Sequence, residues 1–250
     1  MNERSDRADK VLVARGHFDS RSAAQAAIAA GTVRVSGRQL TKPSEKIAYT
    51  ARIEATAAHP YVSRAGLKLA HAIKVFGVDP TGLNCLDIGA STGGFTQVLL
   101  QAGAASIVAV DVGRGQIHKQ IAADPRVRSL EAMDARNLKK TDLVAPPELI
   151  VCDASFISLS KLLGPVLELA APGASLIALF KPQFEVGREH IGKGGIVSDE
   201  TAVQRAEAGF TDWLTGQGWQ VRASEDSPIK GGDGNSERLV LAIRKQPGSV

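Results

Sequence analysis

Four side chains in this sequence are of the types needed to take a proton from a weakly acidic hydroxyl: Lys68, Asp153, Lys181 and Glu237. Lys68 lies in Ser63-Arg64-Ala65-Gly66-Leu67-Lys68-Leu69, which leads into an amphipathic helical pattern. Asp153 closes the apolar run Val151-Cys152, and Lys181 follows an apolar run ending in Phe180. Glu237 follows the turn Gly231-Gly232-Asp233-Gly234-Asn235-Ser236. A lysine after an apolar strand is costly to bury unless it is paired. Its plain alternative is a surface lysine at a strand end, and Pro182 with the partner carboxylates argues against that. A sugar hydroxyl ionises far above neutrality, so its attack on an alkylating carbon needs the proton removed as the bond forms. A lysine made less basic by burial and by a nearby cation could accept it. Lys181 is then the base and Lys68 the second positive charge, while Asp153 and Glu237 hold the lysines and the hydroxyl in place.

A second constellation stands at Leu83-Asn84-Cys85-Leu86-Asp87-Ile88-Gly89-Ala90-Ser91-Thr92-Gly93-Gly94-Phe95-Thr96. An apolar run ends in Asp87, and a glycine-rich turn leads into a helix-forming stretch. This is the pattern of a nucleotide-type pocket at the carboxyl end of a first parallel strand. The glycine spacing is not that of dinucleotide binders, and no Lys-Ser/Thr follows. An acidic residue before the first glycine instead suits S-adenosylmethionine, which carries a carboxylate, an ammonium, a sulfonium and an adenosine. A helix N-terminus near Gly94 can donate N–H groups to the carboxylate, and Asp87 can attract the cationic end. Asp111, ending a second strand, can accept the ribose hydroxyls. Asp134, after a third, is placed to meet adenine. Each aspartate alone could be a strand-end cap. The candidate cofactor set is Asp87, Gly89, Ser91, Gly93, Gly94, Phe95, Asp111, Asp134 and Asp153, and no metal-ligand spacing is visible.

The elements that must position these groups alternate. Strand-like segments are expected at 85–88, 106–111, 127–130, 149–153, 175–180, 218–223 and 238–243, with helix-like stretches between most of them. That predicts an α/β fold with a mostly parallel, doubly wound, seven-stranded sheet whose last strand is antiparallel. Asp153 and Lys181 would end strands that neighbour the cofactor strand.

The chain of 250 residues is long enough for this domain and a small one before it. Its net charge of +4 lies in the first quarter: residues 1–60 hold ten Lys/Arg against six Asp/Glu, and the remainder holds twenty of each. A basic unit on a neutral one points to a polyanion partner. Residues 1–7 read as disordered. Two short helices follow, the first ending at Gly16 and the second capped by Ser20 or Ser22 and ending at Gly31. Val33-Arg34-Val35 alternates as a strand, Ser36-Gly37 turns, and a further strand is expected over 47–53. The division is a small basic domain at 1–54, a linker at 55–60 and the α/β domain at 61–250. Cys85 and Cys152 read as buried apolar residues in adjacent strands. With no apolar run of membrane-spanning length and no signal-peptide pattern, a cytoplasmic protein is expected.

Two resemblances sharpen these readings. Residues 7–16, Ser20-Arg21-Ser22-Ala23-Ala24 and Gly31–Gly37 resemble the small RNA-binding domain of ribosomal small-subunit protein four. That implies RNA contacts by Lys10, Arg15, Arg21, Arg34 and Arg38, to which Arg64 is added. The order of Lys68, Asp153, Lys181 and Glu237 resembles the Lys-Asp-Lys-Glu tetrad of FtsJ-like ribose methyltransferases. With Tyr61-Val62-Ser63-Arg64, Asp111-Val112-Gly113-Arg114-Gly115-Gln116 and Lys181–Glu185, the chain resembles the TlyA family. The family implies transfer of a methyl group from S-adenosylmethionine to cytidine 2′-hydroxyls of ribosomal RNA, with ribosomal subunits as partners and no membrane. Some members have been called hemolysins. A non-catalytic RNA-binding protein and a pore-forming hemolysin are the competing readings.

Overall fold

The computed structural model describes residues 4–246, and the chain divides into two compact units between Pro60 and Tyr61. In the smaller unit, β1 (Ser5–Arg7), α1 (Ala8–Ala14), α2 (Arg21–Ala29), β2 (Val33–Val35), β3 (Arg38–Gln39), β4 (Lys46–Ala48) and β5 (Ile53–Ala55) follow in order. Ser20 caps α2, its Oγ accepting from Ala23 N at 3.2 Å. Ala8, Val11 and Leu12 on α1 and Ala24, Ala27 and Ile28 on α2 meet Val33, Leu40 and Ile47 in one apolar core.

Two expectations fail here. Residues 5–7, expected to be disordered, form a strand: Ser5, Asp6 and Arg7 pair antiparallel with Ala48, Ile47 and Lys46. Their partner is about forty residues away, so local polarity hides the pairing. Residues 1–3 lie outside the described residues. The strand expected over 47–53 is two strands, because Ala51 N turns back to Ala48 O at 3.2 Å. One half pairs with β1 and the other with β2. Regular bonding then runs on into the expected linker, since Thr56 N donates to Thr32 O at 3.1 Å.

The larger unit contains α3 (Ala65–Phe76), β6 (Asn84–Ile88), α4 (Gly94–Gln101), β7 (Ser106–Val110), α5 (Lys119–Ala122), β8 (Val127–Leu130), β9 (Leu149–Cys152), α6 (Leu159–Glu168), β10 (Ser175–Phe180), α7 (Pro182–Glu185), α8 (Glu200–Gly216), β11 (Trp219–Asp226) and β12 (Arg238–Arg244). Its seven strands run in the order β11-β12-β10-β9-β6-β7-β8. β12 is antiparallel to both neighbours, while β10, β9, β6, β7 and β8 pair in parallel. All seven expected strands are present within three residues of their expected ends.

Alternation along the strands feeds two cores. Leu86, Ile88 and Ile150 face α6 and α8, with Leu163, Phe210 and Leu214. Cys85, Ile107 and Val151 face α3 and α4, with Leu69, Phe95 and Leu99. Cys85 and Cys152 are both buried thiols, and burial raises each to about 12. Lys181 ends β10, which is separated from β6 by β9. The expectation that its strand adjoins the cofactor strand is therefore corrected: β9, carrying Asp153, stands between them. No helix among the described residues is long and apolar enough to cross a membrane.

Candidate active site

After β6 the chain turns at Gly89, with φ of 79°. A Cβ there would stand 3.0 Å from Ala154 N and Cα, so only glycine lets the turn pass against the end of β9. Gly93, with φ of 93°, is the N-cap of α4. A Cβ on Gly94 would collide with the Ser63 hydroxyl, so this glycine docks the segment before α3 on the start of α4.

Asp87 is fully buried. Thr96 Oγ1 donates to its Oδ2 at 2.6 Å, and its Oδ1 has no hydrogen-bond partner. Burial pushes the carboxyl up to about 7, against the Thr96 bond and with help from the Asp153 charge. Asp87, Gly93 and Gly94 stand behind the loop, whereas Gly89, Ser91 and Phe95 reach a cavity wall.

Asp111 ties two loops together. Its Oδ2 accepts from Ser91 N at 2.8 Å and its Oδ1 from Gly113 N at 2.6 Å. Asp134 accepts from Arg136 N at 2.9 Å and pairs with the Arg136 guanidinium at 2.5 Å. That partner holds its carboxyl below the usual range. Glu131, which sequence reasoning missed, accepts from the backbone N–H of Gly115 and Gln116 at 2.7 Å each and of Ile117 at 3.1 Å. Its signal was the same as that of Asp111: a carboxylate directly after a strand.

Asp111 and Asp134 lie on a cavity of about 600 Å³, with Val110, Met133, Ile157 and Leu162 among its apolar walls. The volume suits a nucleoside-sized ligand. The apolar walls suit a purine, and Asp111 keeps lone pairs that can accept from hydroxyls. The residues present therefore fit S-adenosylmethionine.

A second cavity, of about 300 Å³, shares Gly89, Ser91, Asp153 and Ser155 with the first. Lys68, Asp153 and Lys181 all line it, together with Arg64 and Phe95. Lys181 Nζ is 2.7 Å from Asp153 Oδ1 and 2.8 Å from Ser155 Oγ. Asp153 Oδ1 has no directed hydrogen bond, so its contact with Lys181 is one of charge. Lys68 Nζ meets Glu237 Oε2 at 2.5 Å, and both side chains are buried. Glu237 stands behind Lys68 and off the wall. A Cβ on Gly231 would fall 2.6 Å from Glu237 Oε1, so that glycine makes room for the carboxylate.

The two lysines thus sit in separate ion pairs on one pocket. Ser155 and Phe156 were also missed from sequence. Phe156 is 91% exposed at the mouth of the larger cavity, with φ of 69°. Its conformation had no sequence signal, because nothing local calls for a left-handed phenylalanine.

In the unit that ends at Pro60, Asp9 is fully buried. It accepts from Arg7 Nη2 at 3.0 Å, Arg21 Nη2 at 2.8 Å and Gln25 Nε2 at 2.7 Å. These partners, Arg7 foremost, hold its carboxyl far below the usual range. Arg38 pairs with Glu45, and Lys10 lies 3.8 Å from Asp6. Arg15 donates to Ala51 O at 2.5 Å and Arg34 to Gly37 O at 3.2 Å. Of the expected RNA contacts in this unit, Arg15 and Arg34 are exposed and donate to backbone carbonyls.

The FtsJ-like methyltransferase family model matches residues 61–244, and the S4 domain model matches residues 6–48. The 16S/23S rRNA (cytidine-2'-O)-methyltransferase TlyA of Mycobacterium tuberculosis is 39% identical over 97% of this chain and 91% of its own length. Hemolysin A of Brachyspira hyodysenteriae is 39% identical over 95% of this chain and 99% of its own. A solved hemolysin-like structure from Streptococcus thermophilus superposes with a TM-score of 0.77 at 37% identity, covering 96% of this chain and 89% of that one.

Proposed function

This chain belongs to the FtsJ-like methyltransferase family, in its TlyA branch, and we propose that it methylates ribose 2′-hydroxyls of cytidines in ribosomal RNA. It is a methyltransferase with S-adenosylmethionine as its methyl donor. The observation that carries the proposal is the pair of cavities joined at Gly89, Ser91, Asp153 and Ser155, with Lys181 on the wall of the smaller one.

When bound, S-adenosylmethionine supplies an electrophilic methyl group. The protein's own work is to present the acceptor oxygen and remove its proton. Lys181 takes the proton from the 2′-hydroxyl as general base. Ser155 Oγ orients Nζ through its hydrogen bond, and Asp153 holds it nearby by charge. Lys68, held by Glu237, places a cation beside the forming alkoxide, where a water-poor wall strengthens its effect. The exposed ring of Phe156 offers a face on which a base can stack. Positioning and charge then carry most of the rate.

The exposed Arg15 and Arg34 of the S4 unit hold RNA through phosphate contacts, and ribosomal subunits or their RNA are the partners. The test is transfer of labelled methyl to purified ribosomal RNA and subunits, followed by mapping of 2′-O-methyl cytidines. No transfer to any of these, with S-adenosylmethionine bound, would favour a non-catalytic RNA-binding role instead.

A further inference from the structure

α7 is a single turn, and it begins one residue after Lys181. Together they meet the loop between β9 and α6 at three places. Lys181 reaches Asp153 and Ser155. The Phe184 ring lies against that of Phe156, with centroids 5.3 Å apart and planes at 51°. Glu185 Oε1 accepts from Leu159 N at 2.8 Å.

Leu159 is the first residue of α6, a helix of ten residues. Its first N–H groups need an acceptor from outside the helix. Ser158, at the N-cap, makes no side-chain capping bond, and its Oγ lies 3.4 Å from Ser160 Oγ instead. The helix takes a carboxylate from 26 residues further along the chain, where it also meets the favourable end of the helix dipole. Burial pushes this carboxyl up to about 7, so its place near the start of α6 is costly.

Between Asp153 and Leu159 the loop holds Phe156 at a φ of 69°, with its ring in solvent. A bulky side chain keeps that conformation only when its surroundings fix it. The loop is fixed at one end by β9 and at the other by the bond from Glu185.

We propose that Glu185 is a positioning residue for the acceptor pocket, holding the start of α6 against α7 so that Ser155 stays on Lys181 and Phe156 stays at the mouth of the adjoining larger cavity. Glu185 lines neither cavity and acts only through this loop. The inference rests on the methyltransferase reading for its consequence in rate, though not for its consequence in structure.

The full-length protein is compared with E185Q, E185A and E185A/S158D. The readouts are single-turnover methyl transfer to ribosomal RNA, the S-adenosylmethionine Kd and hydrogen exchange of amides 154–159. Glutamine keeps an oxygen that can accept from Leu159, so E185Q stays within about threefold of the wild-type rate. E185A slows transfer roughly 10- to 100-fold, the scale of an ångström of misplacement, with Kd within about twofold. The S158D change in the double variant restores a local cap and the lost thermal stability. It leaves transfer slow and exchange at 154–159 fast, because the tie to α7 is still missing. A wild-type rate in E185A would overturn the inference, as would recovery of rate in E185A/S158D or an E185Q as slow as E185A. If the wild-type protein transfers no methyl to RNA, the substrate assignment fails, and exchange at 154–159 still decides this point. Equal exchange in wild type and E185A/S158D would overturn it.

Discussion

Thr96 Oγ1 donates a hydrogen bond to Asp87 Oδ2 at 2.6 Å, while Oδ1 of the same carboxyl group is buried with no donor. The folded protein therefore holds a proton on Asp87 that the unfolded chain, with a carboxyl near 3.8, gives up. Glu185 behaves alike, raised by burial from 4.5 to about 7. When the folded state binds more protons than the unfolded one, stability falls as pH rises. The window runs from about 4 to about 7. Asp9 has the opposite sign, and its contribution changes only below its ordinary value of 3.8. The larger unit is thus expected to unfold at lower urea at pH 8 than at pH 5, with Asp87→Asn reducing the slope. Fluorescence reads this unit alone, because both tryptophans of the chain, Trp213 and the fully buried Trp219, lie within it. Stability that rises between pH 5 and pH 8 would refute the assignment.

Lys68 and Glu237 form a buried pair, and removing one partner strands a charge. Glu237→Ala is expected to cost about 3–5 kcal/mol in stability. Lys68→Met combined with Glu237→Leu should cost less than the sum of the single changes. A double-mutant cycle by denaturant unfolding measures the coupling, and strict additivity would mean the pair contributes none.

Lys181→Arg separates proton transfer from charge. Arginine keeps the cation beside Asp153 yet does not give up its proton at working pH. If Lys181 is the base, the single-turnover rate falls by about 10²–10⁴, while S-adenosylmethionine affinity holds within about twofold. A variant retaining more than about a tenth of the wild-type rate would leave Lys181 an electrostatic role only.

RNA affinity is expected to fall linearly with the logarithm of salt concentration. Arg15→Ala and Arg34→Ala should each weaken binding across sequences and lower the salt slope by about 1. Arg38→Ala should do less, since Glu45 already neutralises that charge. Filter binding at several salt concentrations checks this, and slopes unchanged in the first two variants would move the RNA face elsewhere.

How much of this could be read beforehand depended on distance along the chain. The seven strands announced themselves through apolar runs, and the strand-end positions of Asp87, Asp111, Asp153 and Lys181 followed from them. Pairings between remote segments left no local trace. β1 finds its partner at residues 46–48, and Leu159 finds its acceptor at Glu185. Asp134 was legible as a strand-end carboxylate, but the turn that brings Arg136 back onto it was not. Asp87 was expected to face the ligand. The period of the strand turns it towards α4 instead, where Thr96 meets it. Phe156 escaped because nothing in its residue type calls for a left-handed backbone or an exposed ring.

The placement of β12 bears on when the protein can work. β12 lies inside the sheet, between β10 and β11, and the residue just before it supplies the carboxylate that holds Lys68. A growing chain that has delivered both lysines and the whole donor loop still lacks an interior strand and leaves Lys68 without its partner. Burying that ammonium alone is unfavourable, so the acceptor pocket closes only after residue 237 has emerged and paired. A chain ending before residue 237 thus lacks the carboxylate that pairs with Lys68.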